Sequence, residues 1–141
     1  MRVSGFLVRP HYPALCVGVT GGSGAGKSTF AAMLAEQLGA LRPVILHQDR
    51  YFRDWLEVPE AERAARRTVN HPDGMVWPAF LERFEALRQG TPVAEPAPGT
   101  RASQRSGAVE ILEPAAVLIV EGLFALWRPE IRERLDLRLY L

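Results

Sequence analysis

The residues with the plainest chemical content are Gly21-Gly22-Ser23-Gly24-Ala25-Gly26-Lys27-Ser28, which fill every fixed position of the pattern G-x-x-x-x-G-K-[ST]. Glycines at this spacing let successive backbone N–H groups turn inward around phosphate oxygens. A helix opening where the loop ends adds its positive N-terminal potential. Lys27 then reaches the β- and γ-phosphates of a nucleoside triphosphate, and Ser28 ligates Mg²⁺. A glycine-rich turn that only joins strand to helix has no need of the Lys-Ser pair. Residues 21–29, through Thr29, are therefore expected to bind ATP, with Lys27 also acting in catalysis.

Two carboxylates extend this chemistry. Glu121 ends the most apolar stretch of the chain, residues 115–120, where a carboxylate beside the phosphate loop holds Mg²⁺ directly or through water. Asp49 ends another apolar run, residues 43–47, and is placed to accept the proton of an attacking hydroxyl while aiming it at the γ-phosphate. That role requires an acceptor other than water. A solvated glutamate and a turn-forming aspartate are the competing readings, and Tyr51-Phe52 next to Asp49 favours a site.

These residues need a scaffold, and hydrophobic periodicity supplies one. Residues 15–19 form a short apolar run delivering the chain to the glycines, as a buried parallel strand does. From Lys27, Phe30, Met33, Leu34 and Leu38 recur at helical spacing, and Gly39 is a plausible stop. Residues 43–47 give a second strand with Gln48-Asp49-Arg50 at its C-terminal end. A charged helix begins near Pro59, pairing Glu62 with Arg66, and an amphipathic one spans 77–89. There Trp77, Phe80, Leu81, Phe84 and Leu87 line one face, a spacing that speaks for core packing.

Residues 90–107 are rich in glycine and proline and predict a mobile loop or short hairpin. Residues 115–120 belong at the centre of a parallel sheet. Pro129 suits the first turn of a helix carrying Ile131 and Leu135, and 137–141 alternate like a strand. The order β, α, β, helices, loop, β, α, β is an α/β pattern of three layers, in which ligands bind at the C-terminal ends of the strands. The phosphate loop, Asp49 and Glu121 all fall there.

Composition narrows the alternatives. The 141 residues suit a single domain, residues 1–141, and the formal charge of +1 offers no broad attraction for nucleic acid or membrane surfaces. No apolar run is long enough to cross a bilayer, and residues 1–13 lack a secretory leader pattern, so a cytoplasmic location is expected, with a homo-oligomer left open. Cys16 lies inside an apolar run and is expected to be a small core residue. His11, His71 and Cys16 show no metal-ligand spacing, and no Ser-His-Asp arrangement assembles. Arg101 and Arg105 either face an anionic acceptor or keep their loop solvated.

The phosphate loop, Gln48-Asp49-Arg50-Tyr51-Phe52, Asn70-His71-Pro72-Asp73 and Val120-Glu121-Gly122 resemble, in order and spacing, the uridine kinase-like family of P-loop kinases, over nearly the whole chain. The resemblance implies a P-loop nucleoside triphosphate hydrolase-type fold with a parallel central sheet. It implies phosphorylation of a nucleoside hydroxyl, as in uridine or cytidine, with ATP and Mg²⁺; relatives act on nicotinamide riboside, pantothenate or ribulose 5-phosphate. Asp49 becomes the catalytic base, Lys27 and Ser28 handle phosphate and metal, Glu121 supports Mg²⁺, and Tyr51, Asn70 and His71 face the acceptor. His47 before Gln-Asp is similar to the nicotinamide riboside kinase pattern, and a structural histidine is the other reading.

Three departures accompany the resemblance. Asn70 stands where the family usually has Asp. The family's Pro-x-Tyr-Asp-Phe-x-x-His-x-Arg has Pro98 and Ser103 in place of its base-reading aromatic and histidine, which removes polar recognition of a pyrimidine. The sequence ends at Leu141, where relatives continue with an arginine-bearing lid and a further strand, so both are expected to be absent. A nucleotide-binding relative without turnover is the alternative from another class. A motor or transporter ATPase is weaker, because Val120 rather than Asp precedes Glu121.

Overall fold

The computed structural model describes residues 2–3, 6–7, 11–66, 71–105 and 107–141. A short antiparallel ribbon of β1 (Arg2–Val3) and β2 (Phe6–Leu7) precedes β3 (Leu15–Thr20), α1 (Lys27–Gln37) and β4 (Val44–His47). There follow α2 (Glu60–Arg66), α3 (Trp77–Arg88), β5 (Val93–Glu95), α4 (Arg101–Arg105), β6 (Glu110–Leu112), β7 (Val117–Glu121), α5 (Pro129–Arg132) and β8 (Leu137–Tyr140).

The main sheet is parallel throughout, in the order β4-β7-β3-β8. Its two central strands read as unbroken apolar runs because both faces are covered. On one face Val17, Val19, Val117 and Ile119 pack with Ala31, Phe30 and Leu34 of α1. On the other, Cys16, Leu118 and Val120 pack with Phe80, Phe84 and Leu87, spaced along one stripe of α3. Cys16 is buried, and loss of solvent pushes its thiol up to about 11, as expected of a core cysteine. This is the α/β architecture of helices on both sides of a parallel sheet. No described helix is long and apolar enough to cross a membrane.

The structure departs from expectation at several places. Gly39 does not stop α1 in a left-handed conformation. Leu38 caps the helix, residues Gly39–Leu41 add a tight 3₁₀ turn, and Arg42 takes the left-handed position at φ 46°. The extra turn carries Leu41 onto the same apolar cluster as Leu38. Met33, expected on the buried stripe, is 60% exposed, since it lies two residues, about 200°, around the helix from buried Ala31. The 90–107 segment resolves into β5 paired antiparallel with β6, Glu95 opposite Glu110, with α4 carried between them. The expected Glu62–Arg66 pair involves a side chain outside the described set.

Candidate active site

Parallel pairing aligns the strand ends. Val19 of β3 and His47 of β4 both stand level with Glu121 of β7, so the three loops leaving those strands share one edge of the sheet. After β3 the chain makes the glycine loop. Gly24 and Gly26 hold φ of 78° and 90°, the left-handed region in which a side chain is strained, and Gly26 caps α1. The Lys27 ammonium donates to the Gly22 carbonyl at 2.9 Å across the loop, and the Ser28 hydroxyl donates to Glu121 Oε2 at 3.0 Å. Thr29 lies exposed in the first turn of α1.

Glu121 is only 2% exposed, and its second oxygen is 3.4 Å from His47 Nδ1. Burial works to raise its carboxyl. The hydrogen bonds from His47 and Ser28, with the charge of Lys27, outweigh burial and hold the group below the ordinary carboxylate value. The same hydrogen bond to Glu121 raises His47 above its ordinary value, against burial. Ligand atoms of His47, Asp49 and Glu121 lie within 4.8 Å of one another. The oxygens of Asp49, Glu121 and Ser28 are hard donors of the kind Mg²⁺ takes.

Asp49, Gln48, Phe52, Glu121, Gly122 and Leu123 join Ser23, Lys27 and Ser28 around a cleft of about 190 Å³. Of the residues singled out in the sequence, Ser23, Lys27, Ser28, Asp49 and Glu121 thus converge on one cleft. Tyr51 does not: it is fully buried, its ring meets Phe80 edge-on with centroids 5.0 Å apart, and its hydroxyl donates to Glu95. The expectation that Tyr51 faces an acceptor is corrected, and Phe52 lines the cleft in its place. The 3₁₀ turn Gln48–Tyr51 explains the exchange. With about three residues per turn, Gln48 and Tyr51 share the inward face, while Asp49 and Phe52 follow the outward one. Burial drives the Tyr51 hydroxyl well above its ordinary pKa, and its bond to Glu95 adds to the shift.

His71 is exposed and caps a short turn, its Nδ1 accepting from the Asp73 N–H at 3.1 Å. It is not among the residues lining the cleft. Asn70 lies outside the described residues. Gln48 was missed as a part of the site's frame: 1% exposed, it accepts the Phe124 N–H at 2.6 Å and so ties the end of β4 to the segment leaving β7.

Comparison with known proteins sets this geometry among relatives. The family model described as the phosphoribulokinase / uridine kinase family matches residues 16–141. A uridine kinase of Deinococcus deserti is 34% identical over 93% of the chain, and one of Chloroflexus aurantiacus is 32% identical over 92%. The chain spans 63% and 61% of the lengths of those two relatives. A solved structure of a possible uridine kinase from Bacillus stearothermophilus superimposes with a TM-score of 0.66, covering 94% of this chain and 72% of that one at 18% identity.

Proposed function

We propose that this chain, which belongs to the phosphoribulokinase / uridine kinase family, transfers the γ-phosphoryl group of ATP to a hydroxyl of a small molecule, residues 1–141 acting as one kinase domain. The observation that carries the reading is the convergence of two carboxylates from neighbouring strand ends, Asp49 and Glu121, on the cleft that also holds Lys27 and Ser28.

In this reading the loop amides and Lys27 cradle the β- and γ-phosphates. Ser28 and Glu121 would hold Mg²⁺, which when bound offsets the negative charge of the phosphates. Asp49 is exposed at the cleft and orients the acceptor hydroxyl, taking its proton as the oxygen bonds to the γ-phosphorus and the bond to ADP breaks. Phe52 gives the acceptor an apolar wall. The names of the two relatives make a nucleoside such as uridine or cytidine the first acceptor to test.

The test is ADP release from Mg·ATP with uridine, cytidine, nicotinamide riboside and pantothenate, alongside a nucleotide-binding titration. One acceptor should stimulate release. Asp49→Asn should lower kcat by about 10²- to 10⁴-fold with little change in nucleotide affinity. Nucleotide binding with no acceptor-dependent release from any hydroxyl compound would replace the kinase reading with that of a binding protein.

A further inference from the structure

Asp49 stands between two fixed stretches of chain. Ladder pairing of β4 with β7 ends at His47. Backbone pairing resumes at Tyr51, whose carbonyl accepts the Val76 N–H at 2.8 Å, and at Phe52, whose carbonyl accepts the Arg101 N–H at 2.9 Å. The side chains on either side of Asp49 bridge this gap. Gln48 is tied to the Phe124 N–H, while Arg50 and Tyr51 both end on the carboxylate of Glu95. Arg50 Nη1 donates to Oε1 at 3.2 Å and the Tyr51 hydroxyl donates to Oε2, so each oxygen of Glu95 holds one of two consecutive residues.

Glu95 occupies a position that suits an apolar residue. Along β5, Val93 and Glu95 are buried and Ala94 is exposed, so strand alternation sets a carboxylate facing inward at 2% exposure. A carboxylate so buried is costly unless paired, and a buried ion pair is no more stabilising than well-packed apolar side chains of the same volume. What the pair adds over an apolar contact is direction, since its hydrogen bonds fix where the partners stand. Register brings a second charge. Glu110 of β6 lies opposite Glu95, and Arg50 Nη1 reaches its Oε2 at 3.4 Å. Two like charges facing each other across a ladder repel, and the guanidinium beside Asp49 joins them to the turn. Glu110 is exposed and adds little, which leaves Glu95 as the anchor.

We propose that Glu95 is a positioning residue for Asp49, holding that carboxylate at the cleft through Arg50 and Tyr51. Glu95 touches neither phosphate nor acceptor; it acts through the turn Gln48–Tyr51. A base must stand within hydrogen-bond reach of the proton it takes, and a displacement of about 1 Å costs up to about 10²-fold in rate. This rests on the phosphoryl-transfer reading above and adds to it the β5–β6 ribbon as the part that aims the base.

Glu95→Gln removes the charge and keeps the shape. Arg50→Gln breaks the same link from a partly exposed side chain, and so serves even where the buried substitution prevents folding. In acceptor-dependent ADP release from Mg·ATP by the full chain, each should lower kcat about 10- to 100-fold, with nucleotide affinity unchanged. Arg50→Lys keeps the charge and should recover part of the loss. The same substitutions made together with Asp49→Asn separate aim from folding: a residue that acts through Asp49 costs nothing further there, whereas general loosening lowers the residual rate by the same factor again. Hydrogen exchange at the amides of residues 48–52 reads the anchor without turnover, and it should quicken in both variants while α1 exchanges as before. Undiminished kcat in both variants, or an equal further loss beside Asp49→Asn, overturns the proposal and keeps the kinase. If no acceptor stimulates release by the wild type, the transfer is refuted; quickened exchange confined to residues 48–52 then upholds the anchor, and unchanged exchange refutes it as well.

Discussion

Replacing Gly122 by alanine tests whether the two strand ends are held in register by the close approach the structure records. A Cβ at Gly122 would sit 2.4 Å from Gln48 Cβ and 2.5 Å from Gln48 Oε1. Rotating the Gln48 side chain relieves the second contact but not the first, since Cβ is fixed by the backbone. The ends of β4 and β7 must therefore separate by about 1 Å to restore ordinary contact, an overpacking that costs about 1–3 kcal/mol. Separation also strains the Gln48 bond to the Phe124 N–H, and losing a buried pair adds about 1–3 kcal/mol. A total of about 2–6 kcal/mol lowers the melting temperature of a domain this size by roughly 6–24 °C. Glu121 is the preceding residue, so its bond to Ser28 moves with it and nucleotide affinity in Mg²⁺ should fall too. Calorimetric melting and a nucleotide titration read both effects. A Gly122→Ala protein that melts within about 2 °C of wild type and binds nucleotide equally well would refute the argument.

Other outcomes follow from the same geometry. Tyr51→Phe removes the donor to the buried Glu95 and should cost about 1–3 kcal/mol in urea unfolding; unchanged stability with a raised acceptor KM would reinstate Tyr51 at the site. Phe52→Ala should do the reverse, raising the acceptor KM while melting changes little, because Phe52 is only partly buried. The His47–Glu121 pair has a pH signature: the raised His47 stabilises below its ordinary 6.5 and loses that contribution as pH climbs through its folded value, while the lowered Glu121 stabilises above 4.5 and loses its contribution as pH falls. The stability difference between wild type and His47→Gln should therefore be largest between those values and shrink as pH climbs through the raised His47 value; a difference flat in pH counts against the pair. His47 is 38% exposed, so screening keeps the effect small.

The parts of this fold legible in the sequence are those where local chemistry and burial agree. The phosphate loop constrains its own backbone, and runs such as residues 117–120 have no place except between two covered faces. What escaped was set by partners distant in the chain. Tyr51 and Phe52 are adjacent aromatics, and only the 3₁₀ turn after β4 decides which points inward; three-residue spacing from Asp49 was the available signal, pointing to Phe52. Nothing near residue 93 announces pairing with residue 112, because the ladder closes over an intervening helix. The role of His47 follows from register, since only parallel pairing of β4 with β7 sets it opposite Glu121.

Strand order also accounts for why two carboxylates so close together suit different tasks. Glu121 ends β7, an interior strand, where burial alone would favour the neutral acid, and the site compensates with the Ser28 hydroxyl, the His47 imidazole and the charge of Lys27. A group so surrounded stays ionised but has little freedom to reach for a proton, which in the proposed reaction would suit it to hold a cation beside the phosphates. Asp49 lies two residues past His47, the end of β4 at the edge of the described sheet, exposed at the mouth of the cleft and on the same side as Phe52. Its solvation needs no such compensation, so its carboxylate remains reachable by an acceptor hydroxyl. The division between a fixed carboxylate and an accessible one thus follows from which strand each residue terminates.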